Sequence, residues 1–281
     1  MLSHHTPPIP RKRGNRHRAL ELYAHNVISV TMNRYFLRLA YNGTNFSGWQ
    51  FQPNAITIQE ELEKAISALL HEKTIVYGCG RTDAGVHASK YYAHINATRD
   101  DLHTDEKVLF RLNKSIPHGV VIHEIRLMPE NAHARFSAFS RSYEYYITRK
   151  KKAFGYDLAW EFNEPLDLER MNEAAKIILQ HDDFLAFSKT GGTGTSICKL
   201  THAQWSETED GFVFKISSNR FLRNMVRTIV GQMVEVGDGK IPAVRVNEIL
   251  LSKQQPITRF SVPANGLFLS EVLYPKEFQL D

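Results

Sequence analysis

The chain predicts an α+β fold built from two similar halves, and three observations carry that reading. Apolar residues alternate with a period of two in some segments and recur every three to four positions in others, so strands and helices are both expected. The segments run in the order β-α-β-β-α-β from residue 35 to 127, and in the same order again from residue 141 to 274. At 281 residues the chain also exceeds one domain of roughly 100–200 residues. Two such units in tandem suggest ferredoxin-like, RRM-like halves whose antiparallel sheets lie side by side and leave a central cleft.

The elements follow from local chemistry. Tyr35 to Tyr41 reads as a strand. Thr57-Ile-Gln-Glu60 is a capping box ahead of Ile58, Leu62, Ile66 and Leu69 at helical spacing. Thr74 to Tyr77 is a strand stopped by Gly78, and Lys90 to Ala97 is another. A helix over Asp105–Asn113 gathers Val108, Leu109 and Leu112, and Val120 to Leu127 closes the first half. The second half starts with a strand over Arg141–Thr148 and a helix over Leu168–Leu179. Strands over Ile197–Trp205 and Phe212–Ile216 then flank the Glu-Asp-Gly turn at 209–211. Phe221 to Val236 reads as an amphipathic helix with Leu222, Met225, Ile229 and Met233 on one face; a short helix after Pro242 and a strand over Leu267–Tyr274 finish the chain. The domain boundaries expected are 1–33 for a disordered basic extension, 34–135 for the first half and 136–281 for the second.

Composition excludes several classes. Hydrophobic residues at 42% and charged residues at 23% are ordinary globular usage. No uncharged apolar run approaches the roughly 18–20 residues that span a bilayer, so no membrane partner is expected and the cytoplasm is the expected location. Cys79 and Cys198 are too few for a disulfide framework or a four-thiolate metal site. The net charge of +5 is concentrated: residues 1–33 carry five basic side chains and one acid, which leaves 30 bases and 29 acids for the rest. Any case for an acidic partner therefore rests on local patterning. Met32 directly precedes the first strand, and the residues before it read as a disordered overhang rather than a basic arm that touches RNA or a targeting segment.

Three segments carry chemistry. The first is Gly78-Cys-Gly-Arg-Thr-Asp-Ala-Gly-Val-His87, where glycines end a strand and present Asp83 on a stiff loop beside Arg81. The alternative is a turn in which Asp83 accepts only its own backbone amides. The segment matches neither the dinucleotide nor the phosphate-loop template, and Thr190 to Ser196 fails both as well, so that stretch reads as a flexible loop. The second segment is Arg141-Ser-Tyr-Glu-Tyr-Tyr-Ile147 with Lys150, Lys151 and Lys152 after it, five bases and one acid over residues 141–152. Tyrosines beside cations suit an unpaired base next to a phosphate. Tyr145 and Tyr146 read better as core. The third is Arg220-Phe-Leu-Arg223-Asn-Met-Val-Arg227, in an acid-free stretch over residues 211–234. Arg223 and Arg227 are four apart and share a helix face, and an Arg drawn inward needs a carboxylate partner such as Asp83. Asp157, Glu161, Glu164, Asp167, Glu169 and Glu173 read as a solvated outer face, and the histidines show no ligand spacing, so no metal is expected.

Together these segments resemble the TruA family of tRNA pseudouridine synthases. Ala40-Tyr-Asn-Gly-Thr-Asn-Phe-Ser-Gly-Trp-Gln50 with Thr57-Ile-Gln-Glu60 looks like that family's start, and Gly80 to His87 like its catalytic loop. Met225-Val-Arg-Thr-Ile-Val-Gly231 and Asn265-Gly-Leu-Phe-Leu269 fit later motifs, so the likeness runs from about Tyr35 to Tyr274. The resemblance implies isomerisation of uridine to pseudouridine at tRNA positions 38 to 40, in the anticodon stem-loop, with no cofactor. It implies Asp83 as the catalytic carboxylate, Tyr143 stacking on the uracil, Arg227 paired with Asp83 and Arg81 holding the flipped nucleotide. Further RNA contacts are expected from Arg141, Lys150, Lys151, Arg220 and Arg223, in a homodimer with tRNA across both subunits. Asn224 departs from the pattern, because relatives often carry a His there. The competing class, a non-catalytic pair of RRM-like halves, lacks the RRM signature and leaves Gly80-Arg-Thr-Asp83 unexplained.

Overall fold

The computed structural model describes residues 31–189, 194–254 and 261–280. The basic extension through residue 30 and the first part of the Thr190–Ser196 stretch lie outside the described residues. The fold is α+β. From residue 33 onward the strands join one mostly antiparallel sheet of nine strands: β1 (Asn33–Tyr41), β2 (Tyr77–Gly78), β3 (His87–Ala97), β4 (Val120–Met128), β5 (Ser140–Thr148), β6 (Trp160–Glu161), β7 (Leu200–Glu207), β8 (Gly211–Ser218) and β9 (Leu267–Leu273). Their order is β4-β1-β3-β9-β5-β8-β7, with β2 on β3 and β6 on β5. The last strand is the seam. β9 runs parallel to β3 over His87 and Ala88 and antiparallel to β5 from Ser140 to Tyr145, which ties the two runs of elements into one sheet.

Five helices are described: α1 (Ile58–Leu70), α2 (Glu106–Ser115), α3 (Leu168–Ile178), α4 (Met225–Gly237) and α5 (Val244–Ser252). Short side chains start three of them. Thr57 accepts from the Glu60 amide, Asp105 from Lys107, and Asp167 from Glu169 and Arg170, each satisfying an amide with no partner inside the helix. The apolar residues form two cores. One gathers Tyr35, Leu37, Leu39, Trp49, Ile58, Leu62 and Tyr91; the other gathers Tyr145, Met171, Trp205, Phe214, Ile229 and Met233. Tyr143 packs against both.

Several expectations need correcting. The helix expected from Phe221 begins at Met225, because Asn224 sits in the left-handed region at φ 64° and breaks the run. That helix is not amphipathic in place: every residue of α4 except Arg227 and Glu235 is buried, since the sheet, α3 and the turn Leu185–Phe187 enclose it. The strand expected over Thr74–Tyr77 is only Tyr77–Gly78, and the one expected from Ile197 starts at Leu200. Tyr146 is not core. The period of two sends Tyr145 inward and Tyr146 to the other face, where its hydroxyl donates to Glu144. The acidic stretch is not merely solvated, because Asp157 accepts from Asn42 and Thr44 at 2.9 and 3.0 Å and Asp167 caps α3.

Candidate active site

The loop between β2 and β3 is fixed by its backbone. The Cys79 amide donates to Tyr92 at 2.8 Å, the Tyr91 hydroxyl to the Gly80 carbonyl at 2.6 Å, and the Trp49 amide to the Thr82 carbonyl at 3.2 Å. The Thr82 and Tyr41 hydroxyls share a hydrogen bond of 2.8 Å, and the Val86 amide reaches back to the Asp83 carbonyl at 3.1 Å. Beneath the loop Trp49 stacks on Tyr91 with centroids 4.2 Å apart. That packing admits no side chain at two places. A Cβ on Gly78 would stand inside the Tyr91 hydroxyl and the Trp49 indole, and one on Gly48, at φ +93°, would lie 2.5 Å from the Thr82 carbonyl. Sequence order leads the chain out of this rigid base at Asp83, whose side chain is half-buried.

The far end of the loop is tied down by His87. Its Nδ1 accepts from the Gly43 amide at 3.0 Å, so Nε2 carries the hydrogen and donates to the carbonyls of Asp157 and Asn265, each 3.1 Å away. Burial pushes its pKa down, against the opposing pull of the Asn265 and Asp157 carbonyls. His87 is therefore a neutral strut joining three segments.

Two arginines face the carboxylate. Arg227 Nη1 lies 3.9 Å from Oδ2 of Asp83, and Arg223 Nε lies 4.0 Å from Oδ1. Both distances exceed the 2.7–3.2 Å of a direct N–H···O bond. Among the described residues neither oxygen of Asp83 accepts a hydrogen bond, so the carboxylate is charge-balanced yet has lone pairs free for a substrate. The two cations differ in freedom. Arg227 is 20% exposed, and its Nε donates to the Val262 carbonyl at 2.7 Å. Arg223 is 63% exposed.

Tyr143 lies on β5, opposite Ile216 of β8 and Leu269 of β9, and its ring meets Phe221 edge-on at 5.0 Å. Burial chiefly, then the neighbouring Cys79, pushes the phenol pKa up; Arg141 opposes this, and the Asp83 carboxylate adds to it. The hydroxyl stays protonated and supplies a flat, neutral ring beside the carboxylate rather than a base.

The remaining sequence-picked residues divide. Arg81 is exposed and makes no ion pair among the described residues, and the same holds for Lys151 and for half-buried Arg220. Lys150 pairs with Asp210 at 3.1 Å, and Lys152 joins the same carboxylate at 2.7 Å. The Arg141 guanidinium donates to the carbonyls of Ala138, Asn219, Cys79 and Arg135 at 2.9, 3.1, 3.1 and 2.5 Å, so it clamps three segments around the loop. Sequence reasoning missed that clamp and the Val262 carbonyl, because a backbone acceptor leaves no residue signature. It also left Asn224 without a role. In the structure Asn224 takes the left-handed φ that Asn tolerates, and its side chain bonds Thr228 at 3.1 Å and Ser261 at 3.0 Å. No three His, Cys, Asp or Glu side chains converge as a metal site among the described residues.

A family model described as tRNA pseudouridine synthase matches residues 174–275, which hold α4, β9 and both arginines. Proteins named tRNA pseudouridine synthase A are similar over most of their length. The one from Bacteroides fragilis is 44% identical over 250 residues, covering 88% of this chain and 99% of that protein. The one from Azobacteroides pseudotrichonymphae is 41% identical over 245 residues, covering 87% and 98%. The one from Clostridium acetobutylicum is 37% identical over 246 residues, covering 86% and 100%. Proteins of this kind are isomerases, and that is the class this chain joins. The chain belongs to the tRNA pseudouridine synthase family.

Proposed function

We propose that this enzyme isomerises uridine to pseudouridine at positions 38–40 of the tRNA anticodon stem-loop, with Asp83 as its catalytic carboxylate. The observation that carries the reading is Asp83 itself: its oxygens lie 3.9 and 4.0 Å from guanidinium nitrogens, and among the described residues neither is consumed by a hydrogen bond. The reaction breaks the bond from uracil N1 to the ribose, turns the base and joins C5 to the ribose. The C5 proton leaves and N1 gains one, so no redox partner is needed. Such an internal transfer needs one well-placed carboxylate and a held base, rather than a proton-shuttling pair.

In this reading Tyr143 stacks on the uracil, Arg227 holds Asp83 in place, and Arg81, which makes no ion pair among the described residues, holds the flipped nucleotide against the few kcal/mol that unstacking costs. Arg223, Arg220 and Lys151 supply cations for phosphates, and Lys150 gives up Asp210 to do the same. Arg141 serves RNA binding by holding the loops rather than by touching the backbone. The two cores fall largely on either side of residues 135–136, with Ala138, Leu269, Val272 and Tyr274 joining the first and Val86 the second; in this reading the halves are tandem ferredoxin-like units with the RNA cleft along the β3–β9–β5 seam. The enzyme works as a cytoplasmic homodimer with tRNA lying across both subunits.

The test is to incubate the enzyme with unmodified tRNA transcripts and map pseudouridine by carbodiimide adducts and primer extension. Stops at 38, 39 or 40 are expected, whereas stops confined to other positions, or none, contradict the assignment. Binding should also weaken steeply with salt, because phosphate contacts release counterions.

A further inference from the structure

A row of aromatic rings reaches the surface where the catalytic loop begins. Tyr77 stacks on His94 with centroids 4.8 Å apart and rings 15° from parallel, and it lies 6.2 Å from His133. His133 meets Phe136 at 4.4 Å, and the Arg135 guanidinium lies 5.6 Å over the Phe136 ring. The inner end of the row is buried at His94. The outer end is open, with Phe136 75% exposed and Tyr77 42%.

This surface is rigid and coupled to the loop. His133 Nδ1 accepts from the Arg135 and Phe136 amides at 3.1 and 3.3 Å, its own amide donates to Ser137 Oγ at 3.0 Å, and the Ala134 amide donates to His94 Nδ1 at 3.2 Å. Arg141 ties the Arg135 and Cys79 carbonyls to one guanidinium, two residues from Tyr77 on one side and one from Phe136 on the other. Burial holds both imidazoles neutral, so the positive charge of the patch comes from the arginines. Arg135 makes no ion pair among the described residues. A fixed, open ring with an unpaired cation above it fits a partner that is flat, apolar on its faces and anionic at its edge. An unpaired nucleotide has that form.

We propose that Phe136 and Tyr77 form a shelf on which a base neighbouring the target uridine stacks, with Arg135 on the adjoining phosphate. The inference rests on the reading of this site as RNA-modifying and names the part of the substrate the shelf takes. When the target leaves its stack its neighbours lose a partner, and the shelf supplies a substitute surface at the point where the loop starts. Selectivity for the unpaired or distorted part of a stem-loop follows.

The full-length enzyme should be titrated with stem-loops carrying 2-aminopurine on either side of the target uridine, alongside tritium release from 5-tritiated uridine in tRNA. The expected result is quenched 2-aminopurine with the unaltered enzyme. Phe136→Ala should lose the quench and raise KM roughly ten-fold, the scale of one base–aromatic stack, with kcat held within about two-fold of the unaltered value, as expected of a uniform binding contact. Phe136→Trp should restore both. Phe136→Leu should not, and a Leu variant that does restore them makes the patch a general apolar contact and overturns the stacking. Equal urea midpoints for these variants exclude unfolding as the cause, as the exposure of Phe136 leads one to expect. An active enzyme whose Phe136→Ala form keeps its KM and its quench overturns the shelf alone. An unaltered enzyme that releases no tritium overturns the catalytic reading as well.

Discussion

Asp83 sits where two differently built segments meet. On one side the loop from Gly78 to His87 is pinned along its length, by backbone bonds, by the Tyr91, His87 and Arg141 side chains and by glycines packed against Trp49, Tyr91 and Thr82. On the other side the start of α4 is set by side chains: Asn224 in the left-handed region, Arg227 on the Val262 carbonyl, and Arg223 toward solvent. The difference teaches a division of labour. The loop fixes where the carboxylate is, with no freedom to spare. The helix start sets the charge around it, one cation anchored and one able to move. Small changes should therefore be costly in the loop for steric reasons, and graded on the helix according to how firmly each arginine is held.

The largest effect outside Asp83 itself is expected at Arg227. Arg227→Ala should lower kcat by roughly 100-fold, the scale of losing one charged group preorganised at a reacting centre, with Arg227→Lys recovering only part because Lys cannot hold Val262 and Asp83 together. Steady-state kinetics on tRNA checks this, and a change confined to KM would break the contrast with Arg223. Next is Gly48→Ala. Forcing a Cβ to 2.5 Å from the Thr82 carbonyl at φ +93° should cost about 2–3 kcal/mol of stability, read as a lower urea midpoint with activity lost in step.

A smaller effect is set by pH. Burial, with His133 and Arg34 adding, pushes the His94 pKa down to about 3, against about 6.5 in an unfolded chain. Above pH 6.5 the ring is neutral folded or unfolded and contributes no slope. As pH falls from there toward 3 the unfolded chain takes up a proton that the fold refuses, so stability drops. The lowered pKa of His87 acts in the same direction. His94→Gln, which keeps an acceptor for the Ala134 amide, should flatten that part of the urea-midpoint profile. An unchanged slope would show that His94 is not the group responsible. Smallest is Arg223→Ala. An exposed cation 4.0 Å from its partner is worth at most about 1 kcal/mol to the pair, so a KM increase below about ten-fold with kcat nearly intact is expected. A kcat loss matching that of Arg227→Ala would make the two arginines equivalent.

Much of this was legible in the sequence because local chemistry specifies it. Thr57, Asp105 and Asp167 announce helix starts through their own side chains, and Gly78 to His87 stands out by composition. The approach of Arg227 to Asp83 was implied by the family resemblance, while chemistry alone asked only that an arginine drawn into an apolar stretch find some acid. What was not legible depends on long-range packing. Helical periodicity cannot show that α4 is enclosed on nearly every side, since that depends on the sheet and α3 closing over it. Nor can it show that Arg141 spends its guanidinium on four carbonyls, or that β9 returns to sit between β3 and β5. Asn224 carried a signal, the tolerance of Asn for positive φ, but a helical pattern on both sides of it hid the break.

The central claim is that Asp83 performs the chemistry while the surfaces around it bind the RNA. Tritium release from 5-tritiated uridine in tRNA, measured with Asp83→Asn beside a filter-binding assay on the same tRNA, tests it most directly. The account predicts no release above background with binding within about three-fold of the unaltered enzyme, because Asn keeps the size of the side chain and removes only the nucleophilic, basic oxygen. Release at the unaltered rate would contradict it.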